Sequence, residues 1–150
     1  MHEIEYHESF NSEDTHWWFV TRDRLIFDFI DEYSLRLERP VDLFDIGSGT
    51  GGLLSQCKSH QSIANFSGCE PNEVGLSYSK KRGLNVIDSG IKDLYKVRQQ
   101  FDVVTCVDVL YHKNVEPDFA LASIRNLLKD DGILIINVAA MPQLSGRHDI

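Results

Sequence analysis

Short apolar runs alternate along this chain with segments whose apolar residues recur three or four positions apart. The runs VDLFDI, NFSGCE, LNVID, FDVVTCV and GILIINVAA each predict a strand. Helical spacing predicts helices over residues 14–37, 73–82, 91–97 and 117–129, and a short helix with Leu53, Leu54 and Cys57 on one face. Strands that alternate with helices predict an α/β fold with a doubly wound, mostly parallel sheet of about five strands.

Composition and charge fit one ordinary folded domain. Of the 150 residues, 42% are hydrophobic and 25% are charged, which predicts a single domain over residues 1–150 with an N-terminal helical cap over about residues 12–38. The net charge of −8 and the lack of a basic run argue against a nucleic-acid partner. The apolar runs are too short for a membrane span, and the acidic N-terminus has no leader character.

Three cysteines, Cys57, Cys69 and Cys106, stand too far apart in the sequence for a zinc-binding pattern. Cys69 and Cys106 fall at the ends of apolar runs, which favours buried free thiols. We therefore predict a reducing compartment, a cytoplasmic location and no metal site.

A glycine-rich segment after the first predicted strand carries the strongest chemical signal. Gly47, Gly49 and Gly52 have the spacing G-x-G-x-x-G in a strand–turn–helix context, where glycines let a ligand lie against bare backbone. Glu70 ends the next predicted strand, close to the offset of about 20 residues at which an acid binds ribose hydroxyls. The alternatives are a tight turn without a ligand and, for Glu70, a solvated carboxylate at the end of a strand. If Glu70 binds the ribose, its removal should weaken ligand binding and barely change stability, because a strand-end carboxylate is not part of the core. Together, the loop and the acid predict a nucleoside ligand.

Four segments resemble motifs of one enzyme family. Asp45-Ile-Gly-Ser-Gly-Thr-Gly51 is similar to the first motif, (D/E)-x-G-x-G-x-G, of the class I S-adenosylmethionine-dependent methyltransferases. Residues 101–112 resemble the family's fourth-strand segment, residues 127–134 its following turn and fifth strand, and residues 16–22 the aromatic N-terminal helix of one subset. The resemblance implies a Rossmann-like fold with strand order 3-2-1-4-5, S-adenosylmethionine as the cofactor and S-adenosylhomocysteine as its product.

The resemblance also implies a place for each part of the cofactor. The methionyl and ribose portions would lie along the glycine loop, and Glu70 would bond the ribose hydroxyls. The adenine would lie beside the residues after the third strand, and the end of the fourth strand would border the cofactor from the other side. The cofactor-binding residues predicted in this way are Asp45, Gly47, Ser48, Gly49, Gly51, Glu70, Ile91, Lys92, Cys106 and Val107.

Charged residues near the loop bear on which cofactor binds. Asp45 can hold the ammonium of S-adenosylmethionine directly or through water, but it would repel the pyrophosphate of a nicotinamide cofactor. Arg22 is a candidate partner for the cofactor carboxylate or for an acidic substrate. Many relatives place an acid about where Gly90 stands, to bond the adenine amine. Its absence leaves Asp88, Asp93 or backbone groups for that contact.

The transfer itself is an in-line attack on a methyl group that the sulfonium activates, so a protein base is needed only when the acceptor loses a proton. His112, just beyond the fourth strand, is the candidate catalytic base, and the alternative is a histidine that caps a loop. We predict S-adenosylmethionine-dependent methyl transfer to a small-molecule acceptor that the sequence does not identify. The alternatives are a non-catalytic nucleoside-cofactor-binding module completed by a partner chain and an NAD-dependent oxidoreductase domain.

The predicted fifth strand, residues 133–138, lies at an edge of the sheet. The resembled fold has two further strands that this sequence lacks, so we expect a C-terminally incomplete domain in which cofactor binding survives and full catalysis depends on the missing part. An apolar edge without lysine or proline is a template for another strand, which predicts a homodimer through the fifth strand. The alternative is that residues 139–150 fold back over this edge.

Overall fold

Helices and strands alternate along residues 3–138, which are the residues that the computed structural model describes. The elements in chain order are α1 (Glu3–Ser12), α2 (Trp17–Leu37), β1 (Val41–Ile46), α3 (Gly52–Cys57), β2 (Ile63–Cys69), α4 (Glu73–Lys81), β3 (Val86–Ile87), a 3₁₀ helix (Ile91–Lys96), β4 (Phe101–Val107), α5 (Pro117–Arg125) and β5 (Leu128–Asn137). Within these residues, no helix has the length and apolar character needed to cross a membrane.

The five strands form one parallel sheet in the order β3-β2-β1-β4-β5. β1 is central, with Phe44 opposite Ser67 of β2 and Val104 of β4. The strand order reverses between β1 and β4, and ligands of open α/β sheets bind outside the carboxyl ends of the strands at such a point. The predicted α/β fold and its strand order are confirmed.

Side chains that alternate along the strands build a hydrophobic core on each face of the sheet. Leu43 packs on one face with Ile30 of α2 and Leu54 of α3. Phe44 packs on the opposite face with Leu94 of the 3₁₀ helix and Ile124 of α5. Burial of both strand faces explains why the strand segments are apolar at successive positions.

Two helix boundaries differ from the predictions. The predicted helix over residues 14–37 begins at Trp17, and a separate helix, α1, precedes it. The predicted helix over residues 117–129 ends at Arg125, because the chain enters β5 at Leu128.

The turn that the resemblance placed within residues 127–134 is instead an irregular segment inside β5 that includes Asp131 and Gly132. Leu128 pairs with Phe101, and the register then shifts so that Ile133 pairs with Val103. Lys129 in the shifted segment forms ion pairs with Asp42 of β1, at 3.1 Å, and with Asp102 of β4, at 2.9 Å. These ion pairs hold the segment between Leu128 and Ile133 against the amino ends of β1 and β4. The local sequence indicated only a turn in this segment.

β5 lies at one edge of the sheet, as predicted. Among residues 3–138 it pairs only with β4, and Ile136 in its second half is 41% exposed. Residues 139–150, which we considered as a cover for this edge, lie outside the described residues.

Candidate functional site

The glycine loop after β1 has left-handed backbone conformations that favour glycine. The φ angles are 71° at Gly47, 55° at Gly49 and 84° at Gly51. A Cβ atom at Gly47 would lie 2.5 Å from Cγ2 of Val109, so this position needs glycine for its close packing as well as for its φ. A Cβ at Gly49 would meet no protein atom within 4 Å, which means that Gly49 borders open space.

A cavity of about 950 Å³ lies beside this loop at the carboxyl ends of the strands. Nine of the predicted site residues line it: Asp45, Gly47, Ser48, Gly49, Glu70, Ile91, Lys92, Val107 and His112. The cavity is large enough for a ligand of drug size. The structure thus brings together residues from four separate parts of the sequence.

Gly51 and Cys106 do not line the cavity. Gly51 is the N-cap of α3, and a Cβ there would collide with Leu84 and Ser79. Cys106 is fully buried in β4, and burial raises the pKa of its thiol to about 12. Both residues face packed neighbours and support the fold beneath the cavity. Their position in a motif did not reveal this, because a motif does not tell which side of a loop or strand faces a ligand.

Asp45 is a buried carboxylate with few partners. Its side chain accepts a hydrogen bond at 2.6 Å from the hydroxyl of Thr105, and the residue is 3% exposed. Burial raises the pKa of Asp45 to about 7, although the Thr105 hydrogen bond and the charge of Arg22 act to lower it. A carboxylate with this pKa is poised between its two protonation states near neutral pH, so a cationic ligand group would favour the ionised form.

Arg22 of α2 lies at the cavity between two acids. Its guanidinium donates to Asp23 at 2.7 Å and to Asp108 at 3.3 Å, and its side chain is 13% exposed. Asp108 directly follows β4 and has a φ of 56°, which is strained for a residue other than glycine. Strained backbone of this kind clusters at functional sites. Asp108 lines the cavity and was not among the residues predicted from the sequence.

Glu70 is buried and hydrogen-bonded rather than solvated. It follows β2, is 4% exposed, and accepts hydrogen bonds from the Gly49 amide at 2.8 Å, the Asn72 amide at 2.9 Å and the Tyr6 hydroxyl at 3.1 Å. The premise that Glu70 lies outside the core is therefore wrong. We expect its removal to lower stability, because buried donors would be left unsatisfied.

The three candidates for the adenine contact differ in whether they reach the cavity. Gly90 lines the cavity, whereas Asp88 is exposed and does not. Asp93 lines the cavity, but its carboxylate forms an ion pair with Lys96 at 2.7 Å. The Gly90 carbonyl oxygen already accepts hydrogen bonds from the Asp93 amide at 2.9 Å and from the Ser89 hydroxyl at 3.4 Å, so the structure does not single out one of the three alternatives for the adenine amine.

A second cavity of about 280 Å³ adjoins the first. Phe19, Tyr111 and His112 line both cavities, and Glu8 and His16 line only the smaller one. His112 therefore stands where the two spaces meet. Among residues 3–138, no group of three or more histidine, cysteine or acidic side chains is placed to hold a metal ion.

A family model described as a methyltransferase domain matches residues 18–147. The chain belongs to this family. The match and the strand order confirm the resemblance to class I S-adenosylmethionine-dependent methyltransferases. The match alone favours this class over a nicotinamide-dependent oxidoreductase, because the classic dinucleotide-binding sheet shares the strand order. The methyltransferase domain has S-adenosylmethionine as its cofactor, as predicted, since that is the methyl donor of the class.

The methyltransferase domain is similar to several known proteins over part of their length. A ubiquinone biosynthesis O-methyltransferase of Actinobacillus pleuropneumoniae serotype 7 is 30% identical over 106 residues, which cover 63% of this chain and 44% of that protein. DesVI of Streptomyces venezuelae superimposes with a TM-score of 0.73 at 16% identity, over 97% of this chain and 61% of that one.

A structure of the plantazolicin methyltransferase BpumL in complex with SAH superimposes with a TM-score of 0.72 at 20% identity, over 91% of this chain and 52% of that one. The methyltransferase domain thus spans less than two thirds of each of these three proteins. At these identities, the two structural matches establish the fold.

Helix α1 contributes to the main cavity, and the sequence patterns did not predict this helix. Tyr6 and Ser9 of α1 line the main cavity, and Glu13 just after α1 accepts a 2.7 Å hydrogen bond from Thr50 of the glycine loop. The available signal was the spacing of four between Tyr6 and Phe10, which a helix would place on one face.

Proposed function

We propose that this chain binds S-adenosylmethionine in the 950 Å³ cavity and transfers its methyl group to a small-molecule acceptor, with residues 1–150 acting as one domain. The observation that carries the proposal is the convergence of three groups on one space. These are the open side of the loop at Gly49, the buried carboxylate of Asp45 and the ribose candidate Glu70. The family match supports the same chemistry.

Each end of the cofactor has a candidate partner in this cavity. The ammonium is assigned to Asp45, and the carboxylate to Arg22, whose guanidinium is the cation that most lowers the pKa of Asp45. The ribose is assigned to Glu70, and the adenine to the segment that contains Ile91 and Lys92. This order places the methionyl end near α2 and the adenine near the 3₁₀ helix.

The reaction needs alignment more than acid–base chemistry. A bound cofactor and acceptor held in line gain much of the rate enhancement from proximity, which can supply about 7–11 kcal/mol. His112 stands between the two cavities, so an acceptor in the smaller cavity that must lose a proton would have this imidazole within the same space. We assign His112 as the base for such acceptors.

Two measurements test the proposed function. Isothermal titration calorimetry should show binding of S-adenosylhomocysteine and no binding of NAD. A methyl-transfer assay with labelled S-adenosylmethionine and a panel of small amines, phenols and acids should then show turnover. Binding without turnover on any acceptor would favour the alternative of a non-catalytic module completed by a partner chain. Binding of NAD alone would contradict the proposal.

The cysteines support the proposed cytoplasmic location. Cys57, Cys69 and Cys106 are all buried free thiols, and a reducing compartment keeps thiols in this form. Burial raises the pKa of each thiol to about 12, so none of the three is a reactive nucleophile.

Replacing Glu70 with alanine should lower both cofactor affinity and stability. We expect S-adenosylhomocysteine binding to weaken by about 1.5–3 kcal/mol, as for a hydrogen bond to a charged group. We also expect the free energy of unfolding to fall by about 1–3 kcal/mol, because buried donors lose their acceptor. Calorimetry and urea unfolding measure the two effects. Glu73→Ala, an exposed acid in the first turn of α4, is the control and should change neither. Loss of stability with unchanged affinity would make Glu70 purely structural.

A second copy of this chain is the proposed partner for the edge of β5 that pairs with no strand among residues 3–138. We expect static light scattering at micromolar concentration to show a dimer, and Ile136→Lys to shift it towards monomer because the charge would enter the paired edge. Leu121→Lys on α5 is a matched control, since Leu121 and Ile136 are both 41% exposed. A monomeric wild-type chain would exclude this pairing, and equal effects of both lysines would place the interface elsewhere.

A further inference from the structure

The smaller cavity, of about 280 Å³, is the space in which an acceptor can lie beside the proposed cofactor site. Phe19 of α2 and Tyr111 and His112 after β4 line both cavities, and so does Glu5 of α1. Glu8 of α1 lines only the smaller one. A molecule in the smaller cavity would therefore have one end at the boundary with the cofactor cavity and its other end near Glu8.

Acidic side chains give the smaller cavity its charge. Glu5 and Glu8 are three positions apart on α1, which places them on one face of the helix. Among the described residues that line the smaller cavity, these two are the acids, and none is a lysine or an arginine. The cations of the main cavity, Arg22, Lys92 and Lys113, do not line the smaller one. The smaller cavity should therefore attract a cationic group and repel an anionic one.

His16, which also lines the smaller cavity, does not offset these acids. It is the N-cap of α2, and its Nδ1 accepts a hydrogen bond from the Trp18 amide at 3.4 Å. A ring nitrogen that accepts a hydrogen bond carries no proton, and a positive charge at the N-terminus of a helix is unfavourable. Both effects favour the neutral imidazole of His16, so the charge of the two glutamates remains.

Aromatic rings form another part of the wall. Phe19 and Tyr111 line the smaller cavity, and the centroids of the Tyr111 and His112 rings are 5.1 Å apart. Aromatic faces contact apolar groups and attract cations, so they favour an ammonium carried on an apolar body over a hydrated metal ion. In the described part of the chain, the acids and histidines of this wall do not form a metal-binding group of three or more.

We propose that the smaller cavity selects a small aromatic amine as the methyl acceptor, with its ammonium group bound by Glu8 and Glu5 and its ring against Phe19 and Tyr111. The inference rests on the proposed function and names the acceptor class for that site. The ammonium is the group that is recognised, and the atom that receives the methyl group lies at the other end of the acceptor. Glu8 determines specificity without contacting the cofactor, because it lines the smaller cavity alone.

Three phenols with the same carbon skeleton test the charge preference. Tyramine ends in an ammonium, tyrosol in a neutral hydroxyl and para-hydroxyphenylacetate in a carboxylate. We expect calorimetric titration into the chain saturated with S-adenosylhomocysteine to show tyramine binding about tenfold or more tighter than the carboxylate, with tyrosol between them. Equal affinities, tighter binding of tyrosol or the carboxylate, or no binding of tyramine would overturn the proposal.

Glu8→Gln removes one charge and keeps the size of the side chain. We expect it to weaken tyramine binding about twofold to fivefold, the range for an exposed ion pair, and to leave the affinities for tyrosol and S-adenosylhomocysteine unchanged. Adding Glu5→Gln should abolish the preference for tyramine over tyrosol. Glu3→Gln is a matched control, because Glu3 is an exposed acid of the same helix that lines neither cavity. Equal losses of tyramine affinity in Glu8→Gln and Glu3→Gln, or no loss in Glu8→Gln, would overturn the assignment.

Failure of this inference can be distinguished from failure of the proposed function. A chain that binds no S-adenosylhomocysteine contradicts the proposed function itself. A chain that binds it and shows no preference among the three phenols contradicts only the acceptor class. Glu3 and Glu8 are exposed, so both substitutions should leave the free energy of unfolding unchanged, which urea unfolding checks.

Discussion

Gly49→Val should abolish measurable binding of S-adenosylhomocysteine, with a loss of about a hundredfold or more, equivalent to about 2.7 kcal/mol. The reason is the open space beside Gly49, where an added side chain would meet no protein atom within 4 Å and would occupy the volume that we assign to the ligand. Isothermal titration calorimetry measures the loss. The Gly49 amide remains available to Glu70 in the variant, so the remaining site is retained.

Gly83→Val is the matched control for this prediction. Gly83 has a φ of 68°, close to the 55° of Gly49, and a Cβ there would have only Lys58 Nζ, at 4.0 Å, within reach. The two variants therefore carry a similar backbone strain, and both should be destabilised to a similar degree. Only the Gly49 variant should lose the ligand. Unchanged affinity in Gly49→Val would contradict the assignment of the loop to the cofactor.

Asp45→Asn should weaken S-adenosylhomocysteine binding above neutral pH and remove its pH dependence. The wild-type carboxylate has a pKa of about 7 and the ammonium of the ligand favours its ionised form, so affinity should rise severalfold between pH 6 and pH 7.5. Arg22, Asp23 and Glu70 face the same carboxylate and set this pKa together with its burial. Calorimetry across this pH range gives the profile. Asp88→Asn, at an exposed acid outside the cavity, should keep the wild-type profile.

Asp45→Asn should increase the stability of the ligand-free chain above neutral pH, although it weakens ligand binding. The pKa of Asp45 is raised in the folded chain, so its contribution to stability is fully present below the unfolded pKa of about 4 and is lost as pH rises through about 7. Asp45→Asn removes the buried charge, so the ligand-free variant should resist urea better than the wild type at pH 8. A variant that is less stable at pH 8 and binds the ligand normally would show that Asp45 serves the fold and not the ligand.

The elements of the sheet were predictable because each has a local signal. VDLFDI and FDVVTCV are apolar at successive positions, and they form β1 and β4 within the predicted limits because both faces of a central strand are covered. The α1 helix was not predictable in the same way. Its single buried residue, Tyr6, finds its partners on Glu70 and Gly75, which are more than 60 positions away.

The residues that line the cavity also fall into two groups, those with a local sequence signal and those brought together by packing. Residues of the glycine loop and Glu70 were found because their spacing follows from the geometry of a strand–turn–helix unit, which is local. Asp108 and Arg22 meet because β4 and α2 pack near each other, and the strained φ of Asp108 has no signature in the sequence. Gly51 and Cys106 lie in predicted motifs, but the direction in which they point depends on packing against Leu84 and the sheet interior.

By itself, the sequence determined the α/β class, the methyltransferase resemblance and most of the segments that line the main cavity, because periodicity and motif spacing are properties of short segments. Only the tertiary structure decided which charges are buried and what surrounds them. Asp45 has a raised pKa because neighbouring elements exclude water from it, and Glu70 is restrained because α1 folds over it. Both properties depend on contacts between distant segments, which no local pattern in the chain records.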